Sequence, residues 1–178
     1  RDMQTRTIYL IGFMGSGKST LGKVLARLLN YSFIDLDHYI ENKEGVTITE
    51  IFSRHGEERF RELERVAIHE TAQRGNTVVA TGGGAPCFFD NMDFMNQQGI
   101  TVYLQISPEN LSSRLAQAKA HRPLLAGKDE NELHTFIEER LKERTPFYQK
   151  ANLVADTEYL PPEETARNIV QAIKHNKP

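Results

Sequence analysis

Residues 12–19 read Gly-Phe-Met-Gly-Ser-Gly-Lys-Ser and fit the pattern G-x-x-x-x-G-K-[ST]. The segment before them, Thr7 to Ile11, is short and apolar, and the segment after them repeats Leu21, Leu25 and Leu28 at helical spacing. Between a strand and a helix, glycines let backbone N–H groups turn towards phosphate oxygens, and the helix N-terminus adds positive potential. The pattern therefore predicts a nucleotide phosphate site, whereas an accidental glycine turn would not need the lysine, the serine and both flanks.

The residue types of this loop also predict what each would do. Lys18 would reach the β- and γ-phosphates of ATP, and the Ser19 hydroxyl would ligate the accompanying Mg²⁺. We expect one continuous run to contact the phosphates: Gly15, Ser16, Gly17, Lys18, Ser19 and Thr20.

Strand-like and helical patterns alternate along the rest of the chain. Further strands are predicted at Tyr31 to Ile34, Thr77 to Ala80, Thr101 to Ile106 and Leu153 to Ala155. Helices are predicted at about 47–74, with Thr47 or Thr49 as the cap and a longer part from about Glu57, then from Ser107-Pro108 onwards, and from Glu163 to His175. This alternation predicts an α/β fold with a parallel sheet covered on both faces.

The length of 178 residues favours a single domain, which we place at residues 3–178 with a helical insert at about 37–75. Residues 117–129 lack an apolar period and contain basic residues, a proline and a glycine, a composition typical of a mobile loop. Because a basic loop beside a phosphate site can cover it, we predict a lid at about 115–129.

Composition narrows the classes of partner. The net charge of −2 gives no general attraction to nucleic acid, and no apolar run is long enough to span a membrane. A single cysteine, Cys87, cannot form an internal disulfide, and no apolar secretion signal follows the first residues, so we expect a cytoplasmic protein. Cys87 is interpreted as a packing residue, and the six histidines lack the pairing of a zinc site.

Two acidic residues follow the second predicted strand. If the extended geometry persists, the carboxylates of Asp35 and Asp37 point the same way, towards the sheet edge where ligands bind in open α/β folds. One could then serve the metal and the other a substrate. The alternative is that Asp37 only caps the helix that contains Tyr39 and Ile40.

Two arginines carry a weaker signal. Arg61 and Glu64 lie three residues apart on one face of a charged helix, with Leu63 and Val66 available for the core, and a solvated charge pair is the ordinary interpretation. Arg144 precedes Thr145-Pro146, which first suggests a helix that ends before the proline. Neither arginine identifies a substrate by itself.

Six motifs follow one another along the chain: the loop at 12–19, Asp35-Leu36-Asp37, Phe60-Arg61-Glu62-Leu63-Glu64, Gly82-Gly83-Gly84, Arg122-Pro123-Leu124-Leu125 and Arg144-Thr145-Pro146-Phe147-Tyr148. In this order, over about residues 7–150, they resemble the motifs of the shikimate kinase family. The resemblance implies a three-layer P-loop kinase fold with strand order 2-3-1-4-5. It also implies ATP-dependent phosphorylation of the 3-hydroxyl of shikimate, in the chorismate branch of aromatic amino acid biosynthesis.

The resemblance further implies the roles of individual residues. Arg61 and Arg144 would hold the shikimate carboxylate beside the Gly82 to Gly84 turn, and Asp37 would face the hydroxyl that is phosphorylated. Glu64 would orient Arg61. Asp35 would hold Mg²⁺ through water, in keeping with that ion's retention of its hydration shell. From the lid, Arg122 would reach the phosphates and act with Lys18 and Asp37 in catalysis.

Some features stay open. Neither Arg114 nor residues 156–162 match a motif that would assign the adenine contacts, and a monomer is the default state. The alternatives are another P-loop kinase, acting on gluconate or a nucleoside monophosphate, and an inactive binding protein. A GTP-hydrolysing switch would need a guanine-reading Asn/Thr-Lys-x-Asp element, which the sequence lacks.

Overall fold

A computed structural model of the protein describes residues 6–118 and 127–175. At its centre is a parallel sheet of five strands, in the order β2-β3-β1-β4-β5. The strands are β1 (Thr7–Ile11), β2 (Ser32–Asp35), β3 (Thr77–Ala80), β4 (Gly99–Gln105) and β5 (Leu153–Asp156). The predicted fold class and strand order are confirmed.

Helices follow the strands and cover the sheet. They are α1 (Lys18–Leu29), α2 (Leu36–Glu44), α3 (Ile48–Ala72), α4 (Asn91–Gln98), α5 (Pro108–Ala118), α6 (Glu130–Tyr148) and α7 (Pro162–His175), with a short 3-10 helix at Ala85–Cys87. The sequence analysis did not identify α4, or α6 as a whole. None of the helices in the described ranges is long and apolar enough to cross a bilayer.

Alternate residues of β1 divide the core into two clusters. Ile8 and Leu10 pack with apolar residues of α1 and α7, whereas Tyr9 and Ile11 pack with those of α3 to α6. All five residues of β1 are buried. Because successive side chains of a strand point to opposite faces, burial on both faces produces the continuous apolar run seen in the sequence.

Helix α3 begins with a capping box. The Thr47 hydroxyl accepts a hydrogen bond from the backbone N–H of Glu50, and the Glu50 carboxylate accepts one from the N–H of Thr47. Gly56 interrupts the helix with φ 83° and ψ 172°, values open to glycine. The predicted cap and the longer part from Glu57 are confirmed; the role of 37–75 as a substrate-binding insert stays a prediction.

Three local predictions are wrong. Helix α6 does not end before Pro146 but continues to Tyr148, where the loss of one N–H near the helix end is offset by complete burial of the tyrosine. Val66 does not join the core and is 44% exposed. Residues 117 and 118, predicted as loop, belong to α5, and Asp129 caps α6 through a capping box with Glu132; residues 119–126 of the predicted loop lie outside the described residues.

Candidate active site

The carboxyl ends of β1, β2 and β3 open into a polar cleft of about 370 Å³. This is the sheet edge at which open α/β folds bind ligands. The cleft contains most of the predicted phosphate and acidic residues: Met14, Gly15, Ser16, Gly17, Lys18, Ser19, Thr20, Asp35, Asp37, Ala80, Thr81, Gly82 and Gly83 line it.

The loop at 12–19 has the backbone shape that phosphate binding requires. Gly15 and Gly17 take φ values of 84° and 93°, which L side chains rarely adopt, and Gly17 is the N-cap of α1. The first turn of α1 contains no acidic residue, so its exposed N–H groups keep their positive potential. The Lys18 ammonium donates to the carbonyl oxygens of Gly12 and Phe13, which places it inside the loop.

Ser19 and Asp35 meet at the mouth of this loop. The Ser19 hydroxyl donates to Asp35 Oδ2 over 3.0 Å, while Asp35 Oδ1 accepts from the His38 N–H and caps α2. Cap and hydroxyl hold the carboxylate in one orientation. A hydroxyl and a carboxylate beside a phosphate loop fit Mg²⁺, which takes few protein oxygens and keeps several waters.

Asp37 reaches the same cleft by a route that differs from the prediction. The strand ends at Asp35 and helix α2 begins at Leu36, so the extended geometry does not persist and Asp37 lies in the first helical turn. The cap is Asp35, not Asp37. The Oδ1 atom of Asp37 is buried without a hydrogen-bond partner in the described part of the chain.

The environment of Asp37 favours its neutral form. Burial first, and the charge of Asp35 second, raise the pKa of Asp37 above its ordinary value, while Lys18 opposes them. A carboxylate with a raised pKa accepts a proton more readily than an exposed one. Its orphaned oxygen is therefore suited to accept a hydrogen bond, and then a proton, from a substrate hydroxyl.

Four charged groups lie against the glycine turn at 82–84: Asp37 and Glu64 beside Gly82, Arg144 beside Gly83 and Arg61 beside Gly84. An ideal Cβ on Gly82 would lie 3.3 Å from Asp37 Oδ1, one on Gly83 2.9 Å from Arg144 Nη1, and one on Gly84 2.6 Å from Arg61 Nη2. A methyl group at 83 or 84 would displace a guanidinium, and one at 82 would press on two carboxylates, so the turn leaves room for these groups.

Arg61 is a buried residue, and the interpretation as a solvated charge pair is wrong. Arg61 is 9% exposed and Glu64 is 0% exposed. The guanidinium donates from Nη1 to Glu64 Oε1 over 2.9 Å and from Nε to Glu57 Oε2 over 3.3 Å. It also lies 4.2 Å from the centre of the Phe88 ring. These contacts fix the direction of its planar donors.

Arg144 approaches the turn from helix α6. Its guanidinium lies 5.7 Å from the centre of the Phe13 ring, within the range of a cation–π contact. One turn later the Tyr148 hydroxyl donates to the carbonyl oxygen of Gly83 over 2.6 Å. Because both side chains are on the last turns of α6, the continuation of that helix past Pro146 ties the arginine to the glycine turn.

A second, smaller cavity of about 200 Å³ adjoins the back of the phosphate loop. Arg114 of α5 donates from Nη1 to the Gly15 carbonyl oxygen over 3.2 Å. The loop after β5 is held against the start of α5, since Glu158 accepts hydrogen bonds from Ser107 and Asn110. The cavity brings together residues that match no sequence motif: Arg114, Thr157, Leu160, Pro162 and Thr165.

Arg122, the predicted lid arginine, lies outside the described residues. Cys87 lies near the site, and burial raises the pKa of its thiol, with Arg144 and Arg61 opposing. A thiol with a raised pKa is a poor nucleophile at neutral pH, which agrees with a packing role.

Sequence reasoning missed four supporting residues. Phe13 and Phe88 contact the two arginines, Glu57 holds one of them, and Tyr148 bonds the glycine turn. Phe13 and Tyr148 belong to two of the sequence motifs, the loop at 12–19 and the segment from Arg144 to Tyr148. The spacing of residues in these motifs does not indicate which atoms the two side chains contact.

Comparison with known proteins places this geometry in a family. A family model of shikimate kinase matches residues 14–174. A shikimate kinase of Parabacteroides distasonis is 48% identical over 168 residues, which cover 94% of this chain and 97% of that protein.

Solved structures agree over nearly the whole chain. The crystal structure of shikimate kinase from Bacteroides thetaiotaomicron has a TM-score of 0.90 at 45% identity and covers 96% of this chain and 99% of that chain. Shikimate kinase from Acinetobacter baumannii in complex with shikimate has a TM-score of 0.88 at 40% identity, over 97% and 95% of the two chains. The chain belongs to the shikimate kinase family.

Proposed function

We propose that this chain transfers the γ-phosphoryl group of ATP to the 3-hydroxyl of shikimate, giving shikimate 3-phosphate and ADP in the chorismate branch of aromatic amino acid biosynthesis. The observation that carries the proposal is the glycine turn. Its three residues pack against Asp37, Arg144 and Arg61 in turn, and two of them line the phosphate cleft. The glycine turn thus lies against the carboxylate of Asp37, the guanidinium groups of Arg61 and Arg144, and the phosphate loop.

The two arginines recognise the carboxylate of the substrate. A guanidinium presents paired N–H donors that match a carboxylate, and both guanidinium groups are oriented by aromatic rings. Backbone N–H groups of the turn can approach the ring of the substrate because no side chain stands between them. Gluconate also has a carboxylate, so selection must come from the rigid distance between this clamp and Asp37.

Asp37 orients the acceptor hydroxyl and takes its proton. Transfer of a phosphoryl group passes through a loose transition state, so alignment of the hydroxyl matters more than base strength. The Oδ1 atom of Asp37, which has no other partner in the described part of the chain, would accept the hydrogen bond from the substrate hydroxyl. Lys18, held within the phosphate loop, neutralises charge on the migrating phosphoryl group. When Mg²⁺ is bound, it neutralises phosphate charge; Ser19, and Asp35 through water, would hold it.

The proposed role of the lid arginine rests on the family resemblance. Arg122 would approach the phosphates from the lid and exclude water. The cavity lined by Arg114 and residues 157–165 is the best candidate for the adenine ring, because it adjoins the phosphate loop and presents both apolar and cationic surface. A monomeric state and a cytoplasmic location stay predictions.

The test is a coupled assay of ADP release with MgATP, with shikimate, gluconate or no acceptor. We expect turnover that depends on shikimate, and a rise of about a hundredfold in the KM for shikimate in Arg61→Ala, since loss of a buried charge partner is costly. Arg65→Ala is the matched control, because Arg65 lies on the same helix but is exposed and pairs with Asp90. ATP hydrolysis indifferent to shikimate would contradict the assignment.

A further inference from the structure

Glu64 is a buried carboxyl group beside the substrate pocket that the proposed reaction does not consume. Its Oε1 atom accepts a hydrogen bond from Arg61, whereas its Oε2 atom is buried with no hydrogen-bond partner in the described part of the chain. An ideal Cβ on Gly82 would lie 3.3 Å from this Oε2 and 3.3 Å from Asp37 Oδ1. Glu64 Oε2 therefore faces the same small space beside Gly82 as the carboxylate of Asp37.

Charged and titratable groups face Glu64 from four elements. They are Arg61 on its own helix α3, Asp37 on α2, Arg144 on α6 and Cys87 in the 3-10 helix. Burial raises the pKa of Glu64 to about 7; Arg61 and Arg144 oppose this shift, and Asp37 adds to it. The group is thus poised between its two protonation states at neutral pH.

Substrate binding would change this balance. In the free protein, Arg61 already contacts two carboxylates, that of buried Glu64 and that of exposed Glu57. A substrate carboxylate that reaches the same guanidinium places a third negative charge close to Glu64, in a site of low dielectric. A like charge nearby favours the neutral form of a carboxyl group. Oε2 is the oxygen with room for a proton, since Oε1 already accepts from Arg61.

We propose that arrival of the substrate carboxylate at Arg61 is coupled to uptake of one proton by Glu64. The proton comes from solvent and converts the carboxylate of Glu64 to a carboxylic acid, with no other bond changed. The number of anions around Arg61 is then two before binding, Glu57 and Glu64, and two after it, Glu57 and the substrate carboxylate. This inference rests on the proposed function, because it takes the substrate to be shikimate bound by Arg61 and Arg144.

The coupling has a definite sign. If the bound form of Glu64 keeps its proton to higher pH than the free form, shikimate binds more tightly at low pH and loses affinity as the pH rises above about 7. The dissociation constant would rise by at most about tenfold per pH unit for one linked proton. The carboxyl group of shikimate ionises well below this range, as ordinary carboxyl groups do, and does not contribute.

Calorimetry of shikimate binding to the full chain, without nucleotide, tests the coupling. Titrations at about pH 7.5–8 in buffers of different ionisation enthalpy give the number of protons taken up. We expect between about 0.5 and 1 proton per shikimate for the unaltered protein and close to zero for Glu64→Gln, because the amide cannot titrate. The amide keeps the size of the side chain and an oxygen that can accept from Arg61.

Glu57→Gln is the matched control. It removes a carboxylate from the same guanidinium, but Glu57 is exposed, so proton uptake should persist. Proton uptake that persists in Glu64→Gln overturns the coupling and leaves the proposed function standing. The same holds if the unaltered protein turns over shikimate normally but takes up no proton when shikimate binds. Failure of shikimate to bind or react overturns the proposed function and the coupling together.

A spectroscopic measurement covers the case in which Glu64→Gln does not fold. Infrared difference spectra of the unaltered protein, with glutamate labelled by ¹³C, report whether a protonated glutamic acid appears when shikimate is added. We expect an isotope-shifted carboxylic acid band at about pH 8. Its absence, or a band without the isotope shift, would place the proton elsewhere and overturn the proposal.

Discussion

The phosphate loop and the carboxylate pocket lie side by side but are built in different ways. The loop is made by eight consecutive residues, and it presents backbone N–H groups and the N-terminus of α1 to the cleft. The pocket is made by side chains from α2, α3 and α6 that meet at the glycine turn. A local backbone motif can be found in a sequence, whereas a meeting of distant side chains depends on the whole fold.

The largest expected effect tests the loop. Lys18→Met should lower kcat by about a thousandfold, because the charge that stabilises the migrating phosphoryl group is removed. Shikimate affinity in the absence of nucleotide should stay within about twofold of normal, since the pocket is built from other elements. Steady-state kinetics and calorimetry measure the two quantities. A comparable loss of shikimate affinity would show that the two regions are not separable.

The next effect tests the pocket. Arg144→Ala should raise the KM for shikimate by about a hundredfold and leave the KM for ATP nearly unchanged, because a half-buried cation proposed to bind the substrate carboxylate is lost. Arg140→Ala, one turn earlier on α6 and paired with Glu143 on the surface, is the control. Equal effects of the two variants would point to damage of the helix rather than to loss of a substrate contact.

A smaller effect tests the boundary between the regions. In Gly84→Ala the new methyl group would lie 2.6 Å from Arg61 Nη2, so the arginine must move. We expect a KM for shikimate about tenfold higher, since misplacement of a positioning group is costly, with ATP binding unchanged. Gly82→Ala is the comparison, because its methyl group would meet Asp37 at 3.3 Å and should act mainly on kcat. The same change in both variants would argue against separate roles for these glycines.

The same contrast explains what could be predicted from the sequence. The strands, to within one or two residues at their ends, and the glycine-rich loop were predicted because hydrophobic period and glycine spacing are local signals, and the strand order came from resemblance. The burial of Arg61 and Glu64 could not be predicted, because local charge on α3 suggests exposure and only packing against Phe88 and the turn reverses it. The end of α6 was missed because the proline is a local signal, whereas the complete burial of Tyr148 depends on the tertiary fold.

Asp35 and Asp37 show the limit of extrapolated geometry. Their spacing predicted a shared direction along a strand, and both do reach the cleft, but by different backbone conformations. The cap that Asp35 forms with the His38 N–H starts a helix in the middle of the motif. The spacing therefore predicted correctly that both aspartates reach the cleft, but the predicted cause, a strand that continues to Asp37, is wrong.

The glycine turn has a consequence for how this activity can be lost in evolution. Glycine codons become alanine codons by a single base change, and each such change at 82, 83 or 84 would add one methyl group against a different functional side chain. The surrounding strands and both core clusters would be untouched. We expect each of these single-nucleotide changes to lower the activity and leave the fold intact, so selection on the activity would act directly on these three codons.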